Sequence, residues 1–222
     1  MKKILLIILL PFLALSQNSL NMNLLGTYDY SSEGSDIWGW HNPSTGEEYA
    51  LVTLTNGLSC VNVTNPYNPF EEFFISGPYS IWRDVKTWGN YAYVTTEANA
   101  GLLIVDLSDM TGSTYYSVSQ FTNSNGSSTS FSSAHNIYID ENGIAYIFGA
   151  GGSGSPSDGA IFLDVNNNPT NPVYIGEWDD QYIHDAMVRG DTMYAGCIYT
   201  GNLYIVDVSD KSNPTTLGTT QT

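Results

Sequence analysis

Two of the chain's three histidines stand in the dipeptides His135-Asn136 and His184-Asp185, and Asp36 and Arg83-Asp84 recur in the same relation to their surroundings. Imidazoles and carboxylates in one place can ligate a divalent cation or exchange protons with a substrate. Glu97, downstream of Arg83-Asp84, is a further carboxylate that the same arrangement would draw in. The candidate ligand-binding set is therefore Asp36, Arg83, Asp84, Glu97, His135, Asn136, His184 and Asp185. Within it His135, His184, Asp84 and Glu97 are the nitrogen and oxygen donors that a divalent metal would use, and no other cofactor is suggested. The competing reading is a ring of polar groups that hydrogen-bond the backbone of neighbouring elements and hold the fold together. Residue types alone leave both open.

The elements that would position these residues come from a repeat. Gly101-Leu-Leu-Ile-Val-Asp106 returns as Gly201-Asn-Leu-Tyr-Ile-Val-Asp207, with weaker copies after Gly57 and Gly159 that reach Asn62 and Asp164. A second marker precedes each copy, at Tyr49-Ala-Leu-Val, Tyr91-Ala-Tyr-Val, Ile144-Ala-Tyr-Ile and Met193-Tyr-Ala. The candidate dipeptides lie upstream again. A period of roughly 40–50 residues with several short strands per unit is the pattern of a β-propeller. This predicts an all-β propeller of four-stranded antiparallel blades at approximately 35–80, 81–133, 134–182 and 183–222 within residues 17–222. Asp36 and the dipeptides would open the inner strands and converge on the channel mouth, and Glu97, in the second-to-third connection of the second unit, would open onto the same face.

Leu24-Leu-Gly-Thr-Tyr-Asp-Tyr30 is expected to be an outer strand. Thr216-Leu-Gly-Thr-Thr-Gln-Thr222 resembles it and is expected to start a further blade, so the sequence reads as truncated: four blades and the start of another. Gly89-Asn90, Glu141-Asn142-Gly143 and Arg189-Gly190-Asp191 supply residues that tolerate positive φ in the first hairpin of a blade. Residues 119–133 and 149–159 are rich in Ser and Gly and are expected to be flexible loops on one face.

Residues 1–16, MKKILLIILLPFLALS, have the basic start, apolar run and small-residue end of a secretory signal. The run is shorter than the roughly 20 residues of a spanning helix, so no transmembrane segment is expected in the mature chain. Six Lys and Arg against 22 Asp and Glu give a net charge of -16, which excludes nucleic acid as a partner because that affinity comes from cations. A surface glycan or a protein ligand remains. Two cysteines, Cys60 and Cys197, are too few for a disulfide scaffold and are expected as buried thiols.

Other motifs fail on their context. Gly149, Gly151 and Gly154 fit G-x-G-x-x-G, but Ser-Pro-Ser-Asp-Gly comes next and cannot open the helix a pyrophosphate needs. Asp164-x-Asn166-x-Asn168 runs into Pro169 where a calcium loop needs glycine, so it is read as a turn. No Gly-x-Ser-x-Gly, His-Glu-x-x-His or Cys-x-x-Cys is present, which removes the common hydrolase and zinc signatures.

SDIWGW, RDVKTWGNYAYVTTEANAGLLIVDLSD, SSAHNIYIDENGIAYIFG and IHDAMVRGDTMYAGCIYTGNLYIVDVSD resemble the LVIVD-repeat, choice-of-anchor B proteins. The resemblance implies an exported β-propeller, secreted or at the cell surface and often joined to a C-terminal anchoring segment; it carries over no catalytic residue. The expected function is a binding or interaction scaffold without defined catalysis. The alternative is a metal-dependent enzyme working at the channel mouth.

Overall fold

The computed structural model describes residues 22–123, 126–150 and 159–222, and every regular element in them is a strand. Residues 1–16, read above as a secretory signal, and residues 151–158 of the second Ser/Gly-rich stretch lie outside the described residues. Sheet one is β1 (Gly34–His41), β2 (Glu48–Leu54), β3 (Gly57–Asn62) and β4 (Phe70–Ser76). Sheet two is β5 (Arg83–Trp88), β6 (Tyr91–Thr96), β7 (Leu102–Asp106) and β8 (Tyr115–Val118). A short hairpin, β9 (Gln120–Asn123) and β10 (Ser128–Ser130), precedes sheet three, which is β11 (Asn136–Ile139), β12 (Ile144–Phe148), β13 (Ala160–Asp164) and β14 (Val173–Trp178). Sheet four is β15 (Asp185–Arg189), β16 (Thr192–Cys197), β17 (Asn202–Asp207) and β18 (Thr215–Gln221). Within each set of four the strands pair antiparallel in sequence order, as a four-stranded propeller sheet requires.

The repeat markers now have physical meanings. Gly89, Gly143 and Gly190 take φ of +55°, +74° and +57° in the turns between first and second strands. The polar residue that ends each third strand turns the chain with its own side chain. Asn62, Asp106, Asp164 and Asp207 accept, through Oδ1, the N–H two residues on, from Thr64, Ser108, Asn166 and Ser209. The apolar run before it is continuous instead of alternating where both faces are buried, as in β3, all six of whose residues are buried; β17, in the last sheet, is largely half-buried.

Inner strand β5 packs between β1 and β11, and β15 packs on the far side of β11. The cores lie between successive sheets. Leu51, Leu58, Cys60 and Phe73 of sheet one meet Val85, Val94 and Val105 of sheet two. Tyr93 and Ile104 meet Ile137, Ile147 and Ile161, and Tyr146, Phe162 and Trp178 meet Val188, Met193 and Val206. Each such side chain contributes about 1.5–3 kcal/mol when fully buried.

Three expectations change. Residues 119–133 are not a free loop: β9 and β10 pair with each other, and β9 adds in parallel to the outer edge of sheet three at Thr122–Val173. Phe121 and Phe131 pin this hairpin, 1% and 2% exposed, into the core between sheets two and three. Residues 216–221 belong to β18, the outer strand of sheet four, and do not start another blade. Residues 24–30 form no regular strand.

That N-terminal segment nevertheless sits where an outer strand would. Gly26 lies so close to sheet one that a Cβ on it would be 2.3 Å from the Pro66 carbonyl oxygen; on Gly176 of β14 it would be 1.7 Å from that of Lys211 in sheet four. Gly218 of β18, the third member of the set, has nothing within 4 Å. Leu25, Tyr28 and Tyr30 overhang the outward face of sheet one and enclose with Ile37, Val52 and Val61 a cavity of about 380 Å³. At the other end, Met187 and Tyr194, cross-strand partners in sheet four, are 48% and 37% exposed, whereas Tyr93 at the equivalent place in sheet two is fully buried.

Candidate functional site

Seven of the eight candidates lie at the starts of inner strands and Glu97 lies just after β6; their side chains separate into two inward-turned carboxylates, Arg83, and a cluster of Glu97 with the two histidines. Asp36 and Asp84 turn inward between sheets. Asp36 Oδ2 accepts the Val85 N–H at 3.4 Å, and Asp84 Oδ2 accepts the Ile137 N–H at 3.0 Å. Lys86 lies between the two carboxylates, with Nζ 2.6 Å from Asp84 Oδ1 and 3.2 Å from Asp36 Oδ2, and it also covers the Trp38 ring at 4.8 Å. Burial, and the hydrogen bond to Asp36, push Asp84 up to about 7 against the pull of Lys86 and Ile137. Burial also raises Asp36, but its hydrogen bond with Asp84 and the charge of Lys86 outweigh that and hold it below the usual carboxylate range.

Arg83 takes a third direction. Its guanidinium runs to the end of sheet one, where Nε donates to Leu54 O at 3.1 Å and Nη2 to Pro78 O at 2.6 Å. Asn136 is half-buried and Asp185, on the last sheet, is exposed.

Glu97, His135 and His184 are brought together. Glu97 comes just after β6, its N–H bonded to Trp82 O across the hairpin at 3.3 Å, and its Oε1 lies 2.7 Å from His135 Nδ1. His135 and His184 are held by matching backbone bonds, His135 N–H to Phe148 O and His184 N–H to Gly196 O, so their rings meet with centroids 4.2 Å apart. Gly149, at φ +59°, makes room for this pair: a Cβ there would be 2.9 Å from His135 Cβ. A neutral His135 beside Glu97 carries its proton on Nδ1 and leaves Nε2 as an acceptor.

Aromatic rings missed by the sequence reading flank the imidazoles. Trp82 lies 5.3 Å from His135, Tyr182 lies 6.5 Å from it on the other side, and Tyr199 continues the arc 4.7 Å beyond Tyr182. Trp82 is 46% and Tyr199 79% exposed, while His135 is 9% exposed. The available signal was adjacency: Trp82 immediately precedes Arg83-Asp84, and Tyr182 stands two residues before His184.

The four donors considered for a metal do not converge. Asp84 is committed to Val85 N–H, Ile137 N–H and Lys86, and His135 Nδ1 to Glu97. Among the described residues no group of three or more His, Cys, Asp or Glu is placed to hold a metal ion. Cys60 and Cys197 are free and buried, in different sheets. Among the described residues no helix is long and apolar enough to cross a membrane.

No curated protein matches the chain. Solved structures with propeller folds do. The periplasmic gluconolactonase of Pseudomonas aeruginosa aligns at 8% identity and a TM-score of 0.56, over 82% of this chain and 53% of its own. A protein from Lactobacillus plantarum aligns at 12% and 0.58, over 84% and 55%. One from Desulfotomaculum acetoxidans aligns at 13% and 0.56, over 90% and 61%. The chain thus spans a little over half the length of the structures it matches, and at these identities the likeness is one of fold. The family model for the LVIVD repeat matches residues 82–114 and 185–222, each covering an inner strand and the strands after it. With its four-stranded antiparallel sheets, the chain has a β-propeller fold in which two segments match the LVIVD repeat.

Proposed function

We propose that the protein is an exported scaffold, secreted or at the cell surface, that binds a neutral glycan at the propeller mouth. The observation that carries this is the arc from Trp82 through His135 and His184 to Tyr182 and Tyr199, with Glu97 beside it. Exposed aromatic faces offer apolar area to the C–H face of a sugar ring, and the carboxylate and imidazoles offer acceptors and donors to its hydroxyls. The acidic chain disfavours anionic polymers at the same place. Export rests on the leader-like pattern of residues 1–16.

The test is binding of the mature chain to immobilised neutral polysaccharides, compared with Trp82→Ala and Glu97→Gln. Both side chains are substantially exposed, so the variants should fold. Loss of about tenfold or more in affinity is expected for Trp82→Ala, on the scale of one stacking contact of roughly 1–3 kcal/mol. Retention only on a protein ligand, or unchanged affinity in Trp82→Ala, would remove the reading.

On the same proposal the toroid extends beyond these four sheets. The outward faces of sheets one and four are both open, and residues 24–30 sit on sheet one as the outer strand of a preceding sheet would. Open sheet faces and edges associate. The 222-residue chain alone should therefore self-associate in light scattering; a monomer that melts in one cooperative step would show that these sheets need no others.

A further inference from the structure

Arg83 is 4% exposed, yet no carboxylate lies within ion-pair distance of it among the described residues. Its Nε and Nη2 donate to the backbone carbonyls of Leu54 and Pro78. Nη1 makes no hydrogen bond among the described residues, and it lies against Gly77, where an added Cβ would be 3.2 Å away. A buried cation without a counter-charge is costly, and burial lowers its pKa accordingly. In a chain with six Lys and Arg against 22 acids, such isolation from every described carboxylate is itself informative.

Arg83, Gly77 and Pro78 form one wall of a cavity of about 150 Å³ between the ends of sheets one and two. The opposite walls are apolar, from Ile75, Val94 and Leu103, with Tyr115 and Ser117 at an exposed rim. Thr96 also lines it; its Oγ1 accepts the Ala98 N–H, which leaves the hydroxyl proton to donate. The volume holds about five waters at roughly 30 Å³ each, the room of a molecule with a few heavy atoms.

We infer that this cavity binds a small monocarboxylate with a short aliphatic body, its carboxylate on Arg83 and its methyl or methylene groups against Val94 and Leu103. A guanidinium with an uncommitted nitrogen matches a carboxylate oxygen, and Thr96 supplies a second donor. The apolar wall excludes a fully hydrated dianion, because one side of such an ion would lose its water without replacement. The site is separate from the aromatic arc at the mouth and does not depend on the glycan reading.

The test is titration of the mature chain with propionate by calorimetry and thermal shift at constant ionic strength, with propionamide and sulfate as the other two arms. Saturable binding and stabilisation by propionate alone are expected. Arg83→Met should abolish both, but it also frees two carbonyls and can unfold the chain. Ser117→Phe therefore serves as the second variant: it fills the rim, leaves Arg83 in place and should weaken propionate at least tenfold with the melting temperature of the free protein little changed. Equal stabilisation by propionamide, saturation by sulfate only, undiminished propionate binding in Ser117→Phe, or no saturable binding in any arm would each overturn the assignment.

Discussion

The carboxylate of Asp84 accepts the backbone N–H of Ile137, one sheet further round, at 3.0 Å, and Asp36 stands in the same relation to Val85 at 3.4 Å. Equivalent positions in successive repeats thus tie β1 to β5 and β5 to β11. For these two residues the polar position is a structural joint, while Glu97 and the two histidines contact one another instead.

Removing the joint should unfold the inter-sheet core. Asp84→Ala leaves the Ile137 N–H without its acceptor and Lys86 with only Asp36, so a loss of about 3–5 kcal/mol is expected. Asp185→Ala, at the equivalent but exposed position, should stay within about 0.5 kcal/mol. Urea melts of the two variants make the comparison.

The same pair sets a pH dependence. The folded pKa of Asp84 is about 7, above its unfolded value of roughly 3.9, so the folded state holds a proton that the unfolded state releases. Its contribution to stability is complete below about pH 4 and is lost as pH rises through 7, with a slope of at most about 1.4 kcal/mol per pH unit for one proton. Asp36 acts oppositely: its folded pKa is lowered, so its contribution is present above the ordinary carboxylate range and lost on further acidification. Denaturant midpoints should fall between about pH 4 and 7, and Asp84→Asn should flatten that slope.

Glycines of the outer strands should differ according to whether another sheet packs over them. An alanine Cβ at Gly176 meets the Lys211 carbonyl oxygen at 1.7 Å, so Gly176→Ala should cost about 1–3 kcal/mol or more as the sheets are pushed apart. Gly218→Ala enters open space and should cost nothing measurable. Thermal melts of both variants check this, and equal losses would mean that sheet four has a neighbour on its open face in solution.

Phe131→Ala should cost about 3–5 kcal/mol, because it empties a site 2% exposed in the core between sheets two and three. Hydrogen exchange should then accelerate in β9 and β10 before the rest of sheet three, since Phe121 and Phe131 pack on each other with centroids 5.4 Å apart and anchor that hairpin together.

Both thiols should be silent to a thiol reagent until the chain unfolds. Cys60 and Cys197 are 0% and 2% exposed, and burial pushes their pKa up to about 12 and about 11, so neither supplies thiolate at neutral pH. Rapid labelling of either in the native protein would contradict its place in the core.

The local grammar was legible in the sequence because short-range chemistry writes it. Gly89, Gly143 and Gly190 mark turns that need positive φ, Asn62, Asp106, Asp164 and Asp207 end strands by capping their own backbone, and runs such as Leu102–Asp106 are apolar because both faces are covered. From these alone come the strand order and the four-stranded sheets. Only the tertiary structure decided what the polar residues do, since a carboxylate reads the same in the sequence whether it turns inward to another strand's N–H, as Asp84 does, or reaches an imidazole from the end of β6, as Glu97 does. It also decided the fate of residues 119–133, whose Ser and Gly content suggests a loose loop. Phe121 and Phe131 outweigh that content by burial against residues distant in sequence. The isolation of Arg83 from every described carboxylate likewise emerges only when sheets one and two close around it, because burial and partner geometry are properties of packing and leave no trace in residue order.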